Sequence, residues 1–154
     1  MQDTRVFTVT EPAQTPALSL LLGFGAMIPL ALGAILAWLL PEPGRHLARA
    51  GALLWGSAIL LFLSGVRRGV SFRTPDGPTA AQILTMLWLF LLGLVALPLV
   101  PGWAAAIPLL LGYLSLAVLD PMAARRNEAP LFFARLRPVQ MAIPVISLVA
   151  IAIR

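Results

Sequence analysis

The sequence contains no cysteine, and its eleven basic residues are all arginine. The absence of cysteine excludes disulfide bonds, thiolate metal sites and a nucleophilic cysteine among these 154 residues. Histidine occurs once, as His46. One imidazole without a partner is a poor metal or haem site, because such sites need several convergent ligands. We therefore expect no metal and no cofactor.

Charged residues are also scarce, since they make up 11% of the chain, whereas a soluble domain has about 25%. Hydrophobic residues make up 60%, and the mean hydropathy is +0.93. Such a chain has too few charges to cover a water-facing surface, so a lipid bilayer is predicted to be its main solvent. The net charge is +5, but the arginines are scattered between apolar stretches. We interpret them as topology charges that contact membrane lipids with anionic headgroups, and we expect no nucleic-acid partner.

Five apolar stretches are separated by short polar segments and turn sequences. Their apolar residues continue around all sides of a helix, which is typical of helices in lipid. The predicted fold class is therefore all-α, a polytopic transmembrane helical bundle. A polar tail, 1–16, precedes a single bundle, 17–154, whose predicted spans are about 17–40, 47–66, 80–98, 103–119 and 138–153.

The last stretch decides whether the bundle has five spans or four. Val139–Ile153 covers only ~22 Å at 1.5 Å per residue, against ~30 Å of hydrocarbon. Arg137 and Arg154 would close part of this gap, because long arginine side chains reach toward the headgroups. We predict five spans, or four if this segment does not cross.

Three local features refine the predicted helices. Pro29 should kink the first span, because it removes a backbone hydrogen bond. Thr79, at the end of the turn sequence 74–79, suits the cap of the next helix. The segment LFFARLR, 131–137, suggests a short amphipathic helix on the membrane surface, with its two phenylalanines facing lipid.

The arginines are distributed unequally between the two sides of this threading. With five spans, the amino-terminal tail and the loops 67–79 and 120–137 share one side, which contains eight of the eleven arginines. Because basic residues accumulate on the cytoplasmic side, the amino terminus is predicted to be cytoplasmic. The use of arginine alone fits a bacterial genome of high GC content. We therefore expect a multi-pass protein of the bacterial inner (cytoplasmic) membrane.

Small residues along the spans predict where helices approach one another closely. Gly65 and Gly69 have small-xxx-small spacing, and Ser57 and Ser64 lie seven residues apart on nearly the same face. We interpret this pattern as helix packing, because two hydroxyls supply too little polarity for a substrate path. The predicted helix-packing residues are Gly23, Gly25, Gly33, Gly51, Gly56, Ser57, Ser64, Gly65 and Gly69.

Arg67 and Arg68 follow a long uncharged run, 51–66. They can complement the partial negative charge at the end of a helix and bind lipid phosphates. Alternatively, Arg67 can pair with Asp120, because the second and fourth spans are predicted to end at the same depth. A site for a ligand anion is a third possibility. The predicted cytoplasmic-face residues in charge or lipid contact are Arg67, Arg68, Asp120, Arg125, Arg126, Arg135 and Arg137.

The pattern of ionisable residues does not favour catalysis. The acidic residues are predicted to lie in loops, and His46 is predicted on the opposite side of the membrane from Asp120 and Glu128. A Ser-His-Asp triad is therefore hard to assemble. Apart from Arg49 near the start of the second span, the predicted spans contain no Asp, Glu, Arg or His, which pumps and ion-coupled carriers usually place at membrane depth. We predict that the protein is not an enzyme and not a pump acting alone.

Three segments carry a resemblance to a known family: LLGFGAMIPLAL at 21–32, WGSAILLFLSGVRRG at 55–69 and FFARLRPVQM at 132–141. Together they resemble the DUF3429 family of small integral membrane proteins, whose relatives include a mitochondrial transmembrane protein. The second segment is the most specific, although Trp55 stands where that family usually has tyrosine and Arg68 where it usually has tryptophan. The resemblance implies a membrane location and a similar threading, and it implies no reaction.

These observations favour a structural role, because helix-packing surface without reactive groups is typical of a subunit or packing partner. We expect a non-catalytic accessory subunit or assembly factor of a larger membrane complex, respiratory or photosynthetic, with other integral membrane proteins as partners. The alternative is a small transporter or an anionic-lipid-binding membrane protein, whose cytoplasmic arginines bind headgroups or substrates. An enzyme ranks third.

Overall fold

The computed structural model describes residues 14–74 and 77–154. Most of the predicted tail, 1–16, and the turn residue Asp76 lie outside these residues. The described chain forms six α-helices and two short 3₁₀ turns, Leu97–Leu99 and Trp103–Ala105, and it contains no strand. The helices are α1 (Ala17–Gly25), α2 (Ile28–Leu39), α3 (Gly44–Ser71), α4 (Ala80–Ala96), α5 (Ala106–Arg125) and α6 (Phe133–Ala152).

Five helical segments of the described chain are long and apolar enough to cross a membrane. The last span is the shortest of the five predicted spans. In the structure it lies in a helix of 20 residues, which is ~30 Å long at 1.5 Å per residue and matches the hydrocarbon thickness. The predicted all-α, five-span transmembrane bundle is therefore confirmed. The segments are Ala17–Leu39, Gly44–Ser71, Ala80–Leu99, Trp103–Arg125 and Phe133–Ala152.

The first span is interrupted between α1 and α2. Pro29 is the second residue of α2, and it has no N–H to donate to the carbonyl of Gly25 four residues earlier. The Met27 N–H donates to the Phe24 carbonyl (2.9 Å) and not to the Gly23 carbonyl. The predicted irregularity near Pro29 is therefore present, and it leaves the Gly23 carbonyl without its usual helical donor.

α3 and α5 extend past the apolar stretches that predicted them. α3 continues to Ser71, so Arg67 and Arg68 lie inside a helix and not in a loop after it. α5 continues through Asp120 to Arg125. The predictions that the spans lack ionisable groups, and that acidic residues lie only in loops, are therefore wrong. The physical reason is that backbone hydrogen bonding continues past the point where hydropathy falls.

The segment 131–137 does not form a separate helix on the membrane surface. α6 begins at Phe133 and continues through Pro138 to Ala152 as one helix. The prediction of a separate surface helix is therefore wrong, because the last five residues of the segment are the first turn of a span. Phe132 and Phe133 are half-buried, and their rings meet edge to face with centroids 5.0 Å apart.

Close helix contacts build the core of the bundle. α5 packs along α6, and α3 packs between α2 and α4. At Gly112 of α5, a β-carbon would overlap Leu60 Cδ2 of α3, and at Gly93 of α4 it would lie 2.9 Å from Leu61 Cγ. These glycines let the helices approach closely. The largest fully buried side chains include Leu30, Leu53, Leu60, Leu89, Leu109, Tyr113, Leu116, Met141 and Leu148.

Candidate functional site

Three ionisable side chains meet where α3 and α5 end and α6 begins. Arg67 Nη1 donates a hydrogen bond to Asp120 Oδ1, and Arg137 Nε lies 2.8 Å from Asp120 Oδ2. Each carboxylate oxygen therefore contacts one guanidinium. The contact of Arg67 with Asp120, one of three alternatives predicted for Arg67, is present, and the participation of Arg137 was not predicted. We call Arg67, Asp120 and Arg137 the ion cluster.

The ion cluster is almost completely shielded from the surroundings of the protein. The exposed fraction of the side chain is 2% for Asp120, 7% for Arg137 and 11% for Arg67. Removing such charges from water is costly unless opposite charges compensate one another. Two guanidinium groups and one carboxylate leave a formal charge of +1. The cluster therefore places positive charge inside an otherwise apolar bundle.

Gln140 extends the ion cluster toward α1. Arg137 Nη1 donates to Gln140 Oε1 (2.9 Å), and Gln140 Nε2 donates to the Gly23 carbonyl (2.8 Å). This is the carbonyl that the interruption before α2 leaves without its helical donor. A β-carbon at Gly23 would lie 3.1 Å from Gln140 Nε2, so glycine permits the approach. The chain of polar contacts joins α1, α3, α5 and α6.

The Arg137 guanidinium also contacts an aromatic ring. It lies over the Phe133 ring, 4.4 Å from the centroid, where the face of the ring attracts a cation. Its Nε lies 2.8 Å from Asp120 Oδ2, and its Nη1 donates to Gln140 Oε1. Arg137 is thus held by contacts with an anion, an amide and an aromatic ring.

A second polar group adjoins the ion cluster across a cavity of about 20 Å³, which has room for one water molecule. Gln82 and Glu128 line this cavity together with Arg67 and Asp120.

The amino-terminal end of α4 is capped by Thr79. Gln82 N donates to Thr79 Oγ1 (3.2 Å) and Thr79 N donates to Gln82 Oε1 (2.9 Å), which is a capping box. The predicted cap at Thr79 is therefore confirmed.

A cleft and a larger groove lie beside α6 in the part of the chain that the structure describes. A cleft of about 250 Å³ lies between α1, α3 and α6, and we call it the arginine cleft. A larger groove of about 470 Å³ lies between α2 and α6 and has no charged side chain in its lining. The arginine cleft is lined, among others, by Leu22, Ala26, Ile59, Phe62, Arg137 and Gln140.

The predicted helix-packing residues fall into two groups. A β-carbon at Gly33 would lie 2.7 Å from Ala52 Cβ, so α2 packs closely on α3 at this glycine. The others with inward contacts or burial are Gly23, Gly56, Ser57 and Ser64. A β-carbon would meet no atom within 4 Å at Gly25, Gly51, Gly65 or Gly69. These four glycines therefore do not permit close contacts within the described chain, and their role in helix packing stays a prediction, because residue type does not show which face of a helix turns inward.

The predicted charged residues lie at one end of the bundle but in different surroundings. Arg125, Arg126 and Arg135 are exposed, in contrast to the ion cluster. Arg68 Nη1 donates to Ser71 Oγ (3.0 Å), and its guanidinium lies 4.1 Å from the centroid of a neighbouring phenylalanine ring. The structure therefore brings three of the seven residues into one buried site. Which side of the membrane this end faces stays a prediction.

Several functional contacts were missed from the sequence. Gln140 is the only amide in its apolar stretch, and that polarity was an available signal. Tyr113 is fully buried and donates its hydroxyl to the Gly56 carbonyl (2.7 Å). Gly112, which permits the closest approach to α3, had the same small-residue signal as the glycines that were chosen. Arg137 had no such signal, because it lies outside the apolar stretch.

The fold and the site define a class of protein. Within residues 14–74 and 77–154, no three histidine or acidic side chains converge as metal ligands, and the arrangement of the ion cluster suits holding helices together or attracting an anion. The chain is a multi-pass helical membrane protein with a buried ion cluster near one end. No protein-family model matches the chain, and neither curated proteins nor solved structures gave a match.

Proposed function

We propose that the protein is a non-catalytic accessory subunit or assembly factor of a larger complex in the bacterial inner membrane, with its amino terminus in the cytoplasm. We expect the complex to be respiratory or photosynthetic, and membership of the DUF3429 family is part of the same proposal. The observation that carries the proposal is the outward position of small residues on α3.

α3 presents these small residues to the membrane at a regular interval. Gly51, Ala58 and Gly65 are exposed and seven residues apart, so they follow nearly one line along the helix. A β-carbon at Gly51 or Gly65 would meet nothing within 4 Å in the described chain. Glycine inside a helix is destabilising by roughly 0.5–1 kcal/mol relative to alanine. A partner helix offsets this cost, because small residues let two backbones approach closely.

The ion cluster supports a non-catalytic role. Both carboxylate oxygens of Asp120 contact a guanidinium, and the side chain is 2% exposed. A general acid or base must reach the proton that it transfers. Gln140 is engaged at both its oxygen and its nitrogen. These polar groups are thus occupied by one another, as expected of contacts that stabilise a helical bundle.

Affinity purification in a gentle detergent tests the proposal. On a blue-native gel, the wild-type protein is expected to migrate far above its mass of 16.4 kDa. Mass spectrometry of the same sample should identify a reproducible set of membrane proteins. A single band at the size of the monomer, with no co-purifying membrane protein, would overturn the accessory role.

Substitutions on α3 locate the contact. Gly65→Leu should remove the co-purifying proteins, because a bulky side chain separates the two helices. Gly65→Ala should retain them, since it adds one methyl group and favours the helix. Ala142→Leu is the matched control, because Ala142 is exposed on a different helix, α6. Equal recovery of partners with all three variants would exclude this face of α3.

Transport, which is part of the alternative function, has its own test. Purified protein in liposomes is expected to give no anion flux above that of protein-free vesicles, because the polar groups of the ion cluster are paired with one another. Sustained flux that depends on the protein would favour the transporter over the accessory subunit.

A further inference from the structure

The arginine cleft combines apolar walls with a charged group at one end. Leu22, Ile59 and Phe62 contribute apolar side chains from α1 and α3, and Arg137 and Gln140 contribute polar groups from α6. The cleft opens to the surroundings of the bundle, which are lipid in a multi-pass protein. Its occupant must therefore be a molecule that is apolar along most of its length and polar at one end.

The position of Arg137 matches the headgroup depth of a lipid. Arg137 is the fifth residue of α6, so it lies ~6 Å along the helix from Phe133. Ile59 precedes the end of α3 by twelve residues, so it lies ~18 Å deeper from that end. The ends of α3 and α6 are at the same level because Arg67 and Arg137 contact the same carboxylate. Polarity therefore decreases with depth, as it does along a phospholipid.

The charge of the cleft favours an anion. Arg137 shares Asp120 with Arg67, so the cluster retains a formal charge of +1. The Arg137 side chain is 7% exposed and lines the cleft, so its guanidinium is the charged group that the cleft offers to a ligand. Glu128 is the acidic residue between α5 and α6. It lines the small cavity beside Arg67 and not the arginine cleft, so it does not cancel the charge of the cleft.

We propose that the arginine cleft binds one anionic phospholipid, with an acyl chain along α1 and α3 and the headgroup phosphate paired with Arg137. Arginine suits this role because its planar guanidinium bonds phosphate oxygens through more than one N–H. The cleft volume of about 250 Å³ is below the roughly 300–1,000 Å³ of small-molecule sites, so the cleft holds part of one acyl chain and leaves the rest of the lipid in the bilayer. This site is independent of the accessory role proposed above.

Native mass spectrometry of delipidated protein tests the site with two probes, dioleoyl-phosphatidylglycerol and dioleoyl-phosphatidylcholine. The wild-type protein is expected to bind one phosphatidylglycerol roughly tenfold more tightly than phosphatidylcholine. Both lipids offer a phosphate to Arg137, but the choline cation of phosphatidylcholine is repelled by the positive ion cluster, whereas phosphatidylglycerol keeps its net negative charge. The uncharged groove between α2 and α6 should bind both lipids equally. Equal affinity for the first bound molecule of each lipid would overturn the proposal.

Substitutions separate the cleft from general electrostatic attraction. Ala26→Leu should abolish the first phosphatidylglycerol site by filling the cleft, whereas Ala142→Leu, on the exposed face of α6, should not. Arg137→Gln should equalise the two lipids, and Arg135→Gln, an exposed neighbour, should keep the preference. If Arg137→Gln does not fold, Ala26→Leu still decides, and unchanged binding by Ala26→Leu would overturn the proposal.

A competition experiment distinguishes a lipid from a free anion. Inorganic phosphate at millimolar concentration is expected to leave the bound phosphatidylglycerol in place, because the acyl chain supplies part of the affinity. Displacement of the lipid by inorganic phosphate would show that the site recognises a soluble anion, and the proposal would then be wrong.

Discussion

Asp120 is one residue, yet its carboxylate contacts guanidinium groups from two other helices, Arg67 of α3 and Arg137 of α6. Bulk water does not reach the carboxylate, because the side chain is 2% exposed. Loss of the carboxylate would leave two positive charges buried side by side. Breaking a buried ion pair by removing one partner costs about 3–5 kcal/mol, which is a large share of a typical stability of about 5–15 kcal/mol.

Two glycines of the bundle should respond in opposite directions to the same change. Gly112→Ala is expected to destabilise the protein by about 1–3 kcal/mol, because the added methyl overlaps Leu60 in a well-packed core. Gly51→Ala should be neutral or stabilising by up to about 1 kcal/mol, because its β-carbon meets nothing within 4 Å in the described chain.

Thermal or denaturant unfolding of both variants in one detergent checks this pair. Stabilities that change by the same amount and in the same direction would contradict the assignment of Gly112 to a helix contact and Gly51 to the outer surface.

Among the helices, the existence and number of spans could be predicted from hydropathy, but their ends could not. The apolar run before Arg67 ends at Val66, whereas α3 continues to Ser71. Hydropathy reports the preference of side chains for lipid, and a helix ends where its backbone hydrogen bonds end. A charge at the end of an apolar run can remain in the helix when another helix supplies its counter-ion. That partner lies far away in sequence, so Arg137 could not be assigned to the site.

The junction of α1 and α2 provides a prediction about local stability. Gln140→Leu should leave the Gly23 carbonyl without a hydrogen-bond donor and remove one acceptor of Arg137. The expected loss in the free energy of unfolding is about 1–3 kcal/mol. Because the loss is local, amides of α1 should exchange hydrogen faster relative to those of α3.

Hydrogen exchange measured by mass spectrometry checks the effect of Gln140→Leu. Ser147→Ala is the control, because the Ser147 hydroxyl bonds only within its own helix, to the Ile143 carbonyl (2.8 Å). Uniform acceleration across all helices, or none in α1, would contradict a specific contact between α6 and α1.

At the scale of the whole molecule, the ion cluster and the exposed arginines give one end of the bundle more arginines than the other, which carries Arg45, Arg49 and Arg154. Arg125, Arg126 and Arg135 lie on the surface of this end, and the ion cluster is buried inside it. The opposite end carries His46 at the start of α3. The distribution of charge supports the proposed orientation, with the arginine-rich end in the cytoplasm.

The absence of cysteine makes the orientation easy to measure. Arg126→Cys and His46→Cys place single thiols at exposed positions on opposite ends of the bundle. A membrane-impermeant maleimide added to intact spheroplasts should label the cysteine at 46 and not the cysteine at 126. Labelling at 126 alone would show that the bundle is inserted in the reverse orientation.

A double-mutant cycle on Arg67→Gln and Asp120→Asn tests most directly the central claim that the ion cluster stabilises the bundle. The free energy of unfolding is measured in one detergent for the wild type, both single variants and the double variant, with the exposed Arg125→Gln as control. Asp120→Asn should lose about 3–5 kcal/mol, Arg125→Gln should stay within about 0.5 kcal/mol of the wild type, and the double variant should lose at least about 1 kcal/mol less than the two single losses combined. Losses that add to within about 0.3–0.5 kcal/mol would contradict the claim, because independent sites behave in that way.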